Sequence, residues 1–195
     1  MGTRNLTIVR LGGKVKVAQY CQWDGYPAGQ GTVIANFLQN KLNLRKLKSK
    51  VSKLKFISDK EVGKLWETVG ADESGMVSMD ISKNFKTKYP YLHRDIGGHI
   101  LEIIQDGSYE VNNYTSDFKQ FKVPITGIEV IGLKNEINFL KDDTFCEYAY
   151  ELDLDKKIVK VYAGETKPFK TFKFKDFTVV AMKDLEKELQ KRYER

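Results

Sequence analysis

The chain is short of the residues that most often carry chemistry. It has two cysteines, Cys21 and Cys146, and two histidines, His93 and His99, in 195 residues. Two histidines exclude a histidine-rich metal site, and the distant cysteines form neither a CxxC pair nor a zinc-type cluster. No metal and no cofactor are expected. Proline is scarce, at four, which excludes a proline-rich linker. No apolar run approaches the roughly 20 residues of a membrane helix. The start, "MGTRNLTIVRL", lacks the charged, apolar and small-residue order of a secretory signal. Met1-Gly2 opens like a myristoylation site, but Leu6 stands where Ser or Thr is needed. These absences set the expectation of a cytoplasmic protein with no membrane partner and two reduced thiols. On that expectation, Asn5-Leu6-Thr7 and Asn113-Tyr114-Thr115 match the glycosylation pattern by chance.

Acidic residues are also missing from one window. Residues 41–60 hold eight Lys and Arg against a single acid, Asp59, a local charge of +7. The whole chain is also +7, so the rest is neutral. The excess is therefore local, and it sits on Arg45, Lys46, Lys48, Lys50, Lys53 and Lys55, among others. Hydrophobic residues at 41% are enough for one sizeable core.

Patterning places the elements. "NLTIVRLGGKVKVAQYCQ" alternates apolar and polar residues around Gly12-Gly13, which predicts a hairpin. Val33, Ile34, Phe37, Leu38 and Leu42 recur at helical spacing, as do Leu44, Leu47, Val51 and Leu54 in the basic window. Ser58-Asp59-Lys60-Glu61 reads as a capping box opening a further helix, and "GADESG" as the break after it. "HRDIGGHILEIIQDG" predicts a helix with Asp95 as N-cap and Gly107 as stop. "GIEVIGL" is a candidate strand, and "FCEYAYELDLDKKIVKVYAG" is the clearest hairpin in the chain. "TFKFKDFTVVAM" predicts one or two more strands, before a terminal helix carrying Leu185, Leu189 and Tyr193. Strands gather at both ends with helices between and no βαβ rhythm. The expectation is one α+β domain over residues 1–195, with a mainly antiparallel sheet and a helical basic insertion at about 41–70.

Between the first hairpin and the first helix lies "QYCQWDGYPAGQG", residues 19–31. Gly25, Gly29 and Gly31 let backbone amides approach a ligand, and the helix start that follows favours an anion. The spacing is neither a Walker loop nor a dinucleotide fingerprint. Trp23 and Tyr26 could stack on a planar group, while Gln22, Asp24 and Gln30 fix its edges. The alternative is a structural turn with the two rings as core lids. Arg4, at the start of the first strand, is either a clamp for a carboxylate or phosphate or a salt-bridge partner of Asp24.

The segments "GTRNLTIV", "VAQYCQWDGYPAGQG" and "CEYAYELDLDKKIVKVYAG" resemble a family of uncharacterised proteins found in bacteriophages and bacteria, with relatives in fungi. Its usual form reads GTR, then QYxQWDGYPxGQG, then an E-W/Y-A-Y-x-x-D/N-L-D hairpin. Cys21 stands where glycine is commoner and Tyr148 where tryptophan is common. The resemblance covers both ends well and the middle poorly. It carries no activity with it. A phage-type origin implies an accessory, host-directed role such as anti-defence, in the host cytoplasm.

Three function classes follow. The first is a binder of a small anionic or nucleotide-like molecule at the Trp-Asp-Gly-Tyr-Pro loop. The second uses the basic segment to grip nucleic acid or an acidic host protein, against a simply solvated helix. The third is a hydrolase. The opening hairpin and glycine-rich turn resemble the start of N-terminal-nucleophile hydrolases, whose strands form a sandwich. Removing Met1 exposes Gly2 and not Thr3, so that nucleophile is missing. Cys21 and Asp24 are the remaining candidates. His93-Arg94-Asp95 is read as an acid–base or phosphate site, or as the cap of a helix. On balance a binding role is expected over catalysis.

Overall fold

The computed structural model describes residues 2–72, 77–114, 120–142 and 144–193. Thr115, together with Glu73, Ser74 and Gly75 of the expected chain break, lies outside them, as does the side chain of Tyr193.

The first hairpin forms as its pattern requires. Strand β1 (Asn5–Leu11) turns through Gly12 and Gly13, at φ +59° and +72°, into β2 (Lys14–Cys21). Both φ values are positive, the geometry that suits a two-residue turn to the twist of its strands. The register shifts between Val9 and Arg10, where β2 carries one extra residue, Lys16. Strands β5 (Tyr148–Asp153) and β6 (Ile158–Ala163) form the late hairpin, and β7 (Lys170–Lys173) continues it. The sheet order is β2-β1-β5-β6-β7. The two ends of the chain meet where β1 runs parallel to β5, from Asn5 opposite Tyr148 to Arg10 opposite Asp153. The other pairs are antiparallel. The fold is therefore α+β, with a mostly antiparallel sheet built from both terminal hairpins.

The central strands β1 and β5 are buried on both faces, which explains why Leu6-Thr7-Ile8-Val9 is a nearly continuous apolar run. Val9, Tyr150, Leu152 and Val161 face the main core with Ile34, Leu101, Met182 and Leu185. Leu6, Ile8, Ala149 and Tyr162 form a smaller cluster behind, covered by Ile137, Phe139 and Leu140. Asn5 of the first glycosylation-type triplet is fully buried in β1, so that match is indeed chance.

Helices fill the middle. Pro27–Gly31, Thr32–Asn36 (α1) and Phe37–Lys41 follow one another, the outer two as wide π-type turns. Next come α2 (Leu44–Lys53) and α3 (Asp59–Glu67), whose Ser58/Glu61 capping box is complete. They lie within residues 41–70, the basic stretch expected to be helical. Helix α2 enters the core through Leu47 and Val51, whereas α3 buries no residue fully. Helix α4 (Met79–Lys88) stacks Phe85 on Trp66, ring centroids 3.7 Å apart. Helix α5 (Ile100–Asp106) stops at Gly107, φ +67°. A ribbon of β3 (Tyr109–Tyr114) and β4 (Gln120–Ile125) follows, and α6 (Val179–Tyr193) ends the chain.

Four expectations are corrected. "GIEVIGL" is not a strand: its only sheet-like contact is a bridge from Leu133 to Phe56. "TVVAM" opens α6, because Met182, Leu185 and Leu189 bury one helical face that outweighs the β preference of two valines. Asp95 does not cap a helix; a short 3-10 turn, Gly97–His99, precedes α5, and Ile96 stands at its start. The sandwich of N-terminal-nucleophile hydrolases would need a second large sheet, but the second sheet here has two strands. No helix among the described residues is long and apolar enough to cross a membrane.

Glu151 on β5 is 2% exposed and holds Arg10 of β1 at 2.9 Å and Lys160 of β6 at 2.8 Å. Burial alone would raise its pKa, but the hydrogen bonds from Lys160 and Arg10 outweigh burial and hold the carboxyl below its ordinary range. A depressed carboxyl contributes stability that is present above its unfolded pKa and lost as pH falls through the folded one. Glu151→Gln should cost about 3 kcal/mol, the low end for breaking a buried pair, since both cations can reach water. Urea denaturation should show that loss at neutral pH and a weaker acid dependence in the variant.

Candidate functional site

The segment 19–31 is a joint before it is anything else. The Gly25 N–H donates to the Thr3 carbonyl at 2.9 Å, and the Tyr150 hydroxyl donates to the Gly25 carbonyl at 2.8 Å. A Cβ at Gly25 would lie 2.8 Å from both Asn5 Cβ and the Thr3 oxygen, so only glycine fits against β1. At Gly29 it would overlap the carbonyl of Asp24. That carbonyl accepts from the Gln30 N–H at 2.7 Å. Asp24 itself takes φ +54°, the left-handed region that Asp tolerates better than most residues.

The six residues expected to bind a ligand divide into an inward pair, an outward trio and Arg4, which stands apart. Gln30 is buried and points inward: its Oε1 accepts from the Gly98 N–H at 2.8 Å, and its Nε2 reaches Cys21 Sγ at 3.7 Å. Gln22 ties the end of β2 to the chain before α5, donating its N–H to the Arg94 carbonyl and accepting from the Tyr20 hydroxyl. Trp23, Asp24 and Tyr26 face outward. Trp23 is 46% exposed and lies over Gly2, so it is not a core lid. The Tyr26 hydroxyl donates to Asp24 Oδ1 at 3.4 Å. Arg4 does not pair with Asp24. Its guanidinium lies over the Phe145 ring, 4.3 Å from the centroid, with Nε 3.8 Å from Glu147. The helix start expected to hold an anion already holds one of the chain's own: the Ala28 N–H donates to Glu186 Oε2 of α6 at 2.7 Å.

The candidate nucleophile Cys21 is quiet. Cys21 and Cys146 are both free and buried. Burial pushes both thiols up, Cys146 to about 12, and a protonated thiol is a poor nucleophile. The basic patch is partly neutralised: Lys46 pairs with Asp106 at 2.6 Å and Lys48 with Asp155 at 2.7 Å. Arg45, Lys50, Lys53 and Lys55 remain exposed.

The motif's inward arm leads to a cleft. Gln30 fixes the Gly97–His99 turn, and that turn forms one side of a cavity of about 410 Å³. Asn36, Asn40 and Lys41 line it from the first helical run, His99 and Glu102 from the α5 side, and Glu110 and Lys122 from the ribbon. A smaller cleft of about 220 Å³ shares His99 and Glu110 and adds His93, Asp95 and Lys86. Both histidines of the chain thus face one continuous region. Lys41 binds Glu102 through both oxygens, at 2.8 and 3.0 Å, and Lys122 binds Glu110 at 2.9 Å. Sequence reasoning missed this site because its residues come from three separate segments. The local signals were Asn36 and Asn40 one helical turn apart, and Glu102 three residues after His99.

Burial is the main cause that lowers the pKa of both imidazoles. Lys41 and Lys122 add to it at His99, and Lys86 adds to it at His93. Both rings are therefore expected neutral at pH 7, and NMR should show both titrating below the ordinary 6.5. The stability this gives is complete above 6.5 and lost as pH falls through the lowered values.

The joint makes a second prediction. Gly25→Ala should cost about 1–3 kcal/mol by overpacking. Trp23→Ala, on an exposed ring, should cost about 1 kcal/mol or less. Chemical denaturation of the two variants side by side checks the order. Comparison with known proteins finds no matching family model, no matching curated sequence and no matching solved structure.

Proposed function

We propose that the chain binds a small anionic, nucleotide-like molecule in the cleft around His99, with the Trp-Asp-Gly-Tyr-Pro loop as the scaffold that sets the cleft's wall. The accessory, host-directed role implied by the phage-type resemblance would then be one of ligand capture. The observation that carries the reading is the pair of lysines, Lys41 and Lys122, converging with a neutral imidazole and two asparagine amides on one cavity. Its volume lies within the range of small-molecule sites.

Each lysine is held by a carboxylate at a partly exposed position. Such pairs contribute about 0–1 kcal/mol, so exchanging them is cheap. A phosphate can take both lysines at once, and charge-assisted bonds of that kind are roughly twice as strong as neutral ones. Glu102 and Glu110 then turn to water. Asn36 and Asn40 each offer a donor and an acceptor, which matches the edge of a heterocycle. His99 supplies a flat face and an N–H. The chemistry asks for a ligand with one anionic end and one hydrogen-bonding ring.

Calorimetry with adenosine and guanosine nucleotides, inorganic phosphate and dicarboxylates tests this. A nucleotide should bind best, and Lys41→Gln or Lys122→Gln should weaken it by about tenfold, or 1.4 kcal/mol. Trp23→Ala and Arg4→Ala should leave affinity unchanged. Loss of binding in those two variants, with the lysine variants unaffected, would return the site to the loop. No heat with any compound would remove the proposal.

A further inference from the structure

A larger cleft, of about 590 Å³, runs beside the basic helix. One wall is Lys46, Lys50 and Lys53 of α2, at positions i, i+4 and i+7, which share one helical face. The other wall is the irregular segment from Gly127 to Val130. Leu54, Ile128 and Val130, all half-buried, give it an aliphatic lining above the buried Ile103 and Ile104. Lys46 is engaged by Asp106. Lys50 and Lys53 are exposed and paired with no acid among the described residues.

We propose that this cleft docks an acidic, amphipathic peptide segment of a partner protein, its carboxylates on Lys50 and Lys53 and its aliphatic side chains between the walls. Charge complementarity selects the sign of the occupant: Lys46 is matched by Asp106, but Lys50 and Lys53 on the same wall have no acidic partner among the described residues. The lining selects its class. Single-stranded nucleic acid is gripped by aromatic faces on which bases stack, and no aromatic side chain among the described residues lines this cleft. Glu129 on the far wall opposes a continuous phosphate backbone, whereas a peptide can place an apolar or polar residue there. Aliphatic walls between cationic rims fit Leu or Ile flanked by Asp or Glu. The proposal is independent of the His99 cleft, which shares none of these lining residues.

Fluorescence anisotropy at low salt tests it, using labelled peptides of Leu, Asp and Glu, one with helical and one with alternating apolar spacing. Oligoglutamate of equal length and single-stranded DNA serve as comparisons. One of the two amphipathic peptides should bind at least about tenfold more tightly than oligoglutamate and DNA. The double variant Lys50→Glu, Lys53→Glu should lose that binding while keeping its circular dichroism and thermal midpoint, since both side chains are exposed. Lys122→Gln should bind the peptide normally, which separates this surface from the ligand cleft. The proposal falls if neither peptide binds or if the double variant binds as before. It also falls if oligoglutamate or DNA binds equally well, which would make the helix a plain electrostatic or nucleic-acid surface.

Discussion

Everything in this molecule hangs on the seam between β1 and β5. The two strands belong to opposite ends of the chain, and each already has an antiparallel partner from its own hairpin. Their parallel pairing turns two hairpins, each marginal alone, into one sheet whose central strands are buried on both faces. The seam is fixed by more than backbone bonds. Glu151 reaches Arg10 across it and Lys160 on the other side, so one buried carboxylate ties three strands together. A one-residue slip would carry Glu151 to the opposite face and strand it among aliphatics.

Once the seam is set, two buried amides and one partly buried carboxylate hang the helices on it. Gln30 fixes the turn before α5, and Glu186 closes the helix start at Ala28. Gln105 does the same at the next junction, accepting from the Asn43 N–H and donating to the Lys41 carbonyl. The Gln105 bonds place Lys41 beside the His99 cleft and start α2 with its lysines beside the other. The rich chemistry of residues 19–31 is thus spent mostly on position. The glycines let two backbones touch, and the polar side chains replace water at that contact.

The sequence announced what depends on near neighbours. Both terminal hairpins, the Ser58/Glu61 box and the Gly107 stop are local devices, and each stands where its residues put it. Elements whose stability is borrowed from elsewhere were silent or misleading. Helix α4 has a weak apolar stripe and relies on Phe85 meeting Trp66. The β3–β4 ribbon begins "YEVNNY", which lacks clean alternation. Val179 and Val180 favour a strand locally, but α6 exists because the core needs Met182 and Leu185. At the site, residue types were legible and directions were not. Arg4 was read as a ligand clamp or as a partner of Asp24, and it turns to Phe145 and Glu147, which lie across the seam. The His99 cleft was invisible for the same reason, since its walls come together only after folding.

The central place of β1 also has a consequence in time. It is made before the partner on its open side, which is 143 residues further on, the spacing of Arg4 and Glu147. The hairpin therefore waits through the synthesis of those residues as a template with one unsatisfied edge. Pairings of such range close slowly, and an open strand edge is what other unfinished chains add to. The positive charge of Arg10 at the end of that edge opposes such additions. In the finished protein it holds Glu151; on the ribosome it would keep the nascent hairpin to itself.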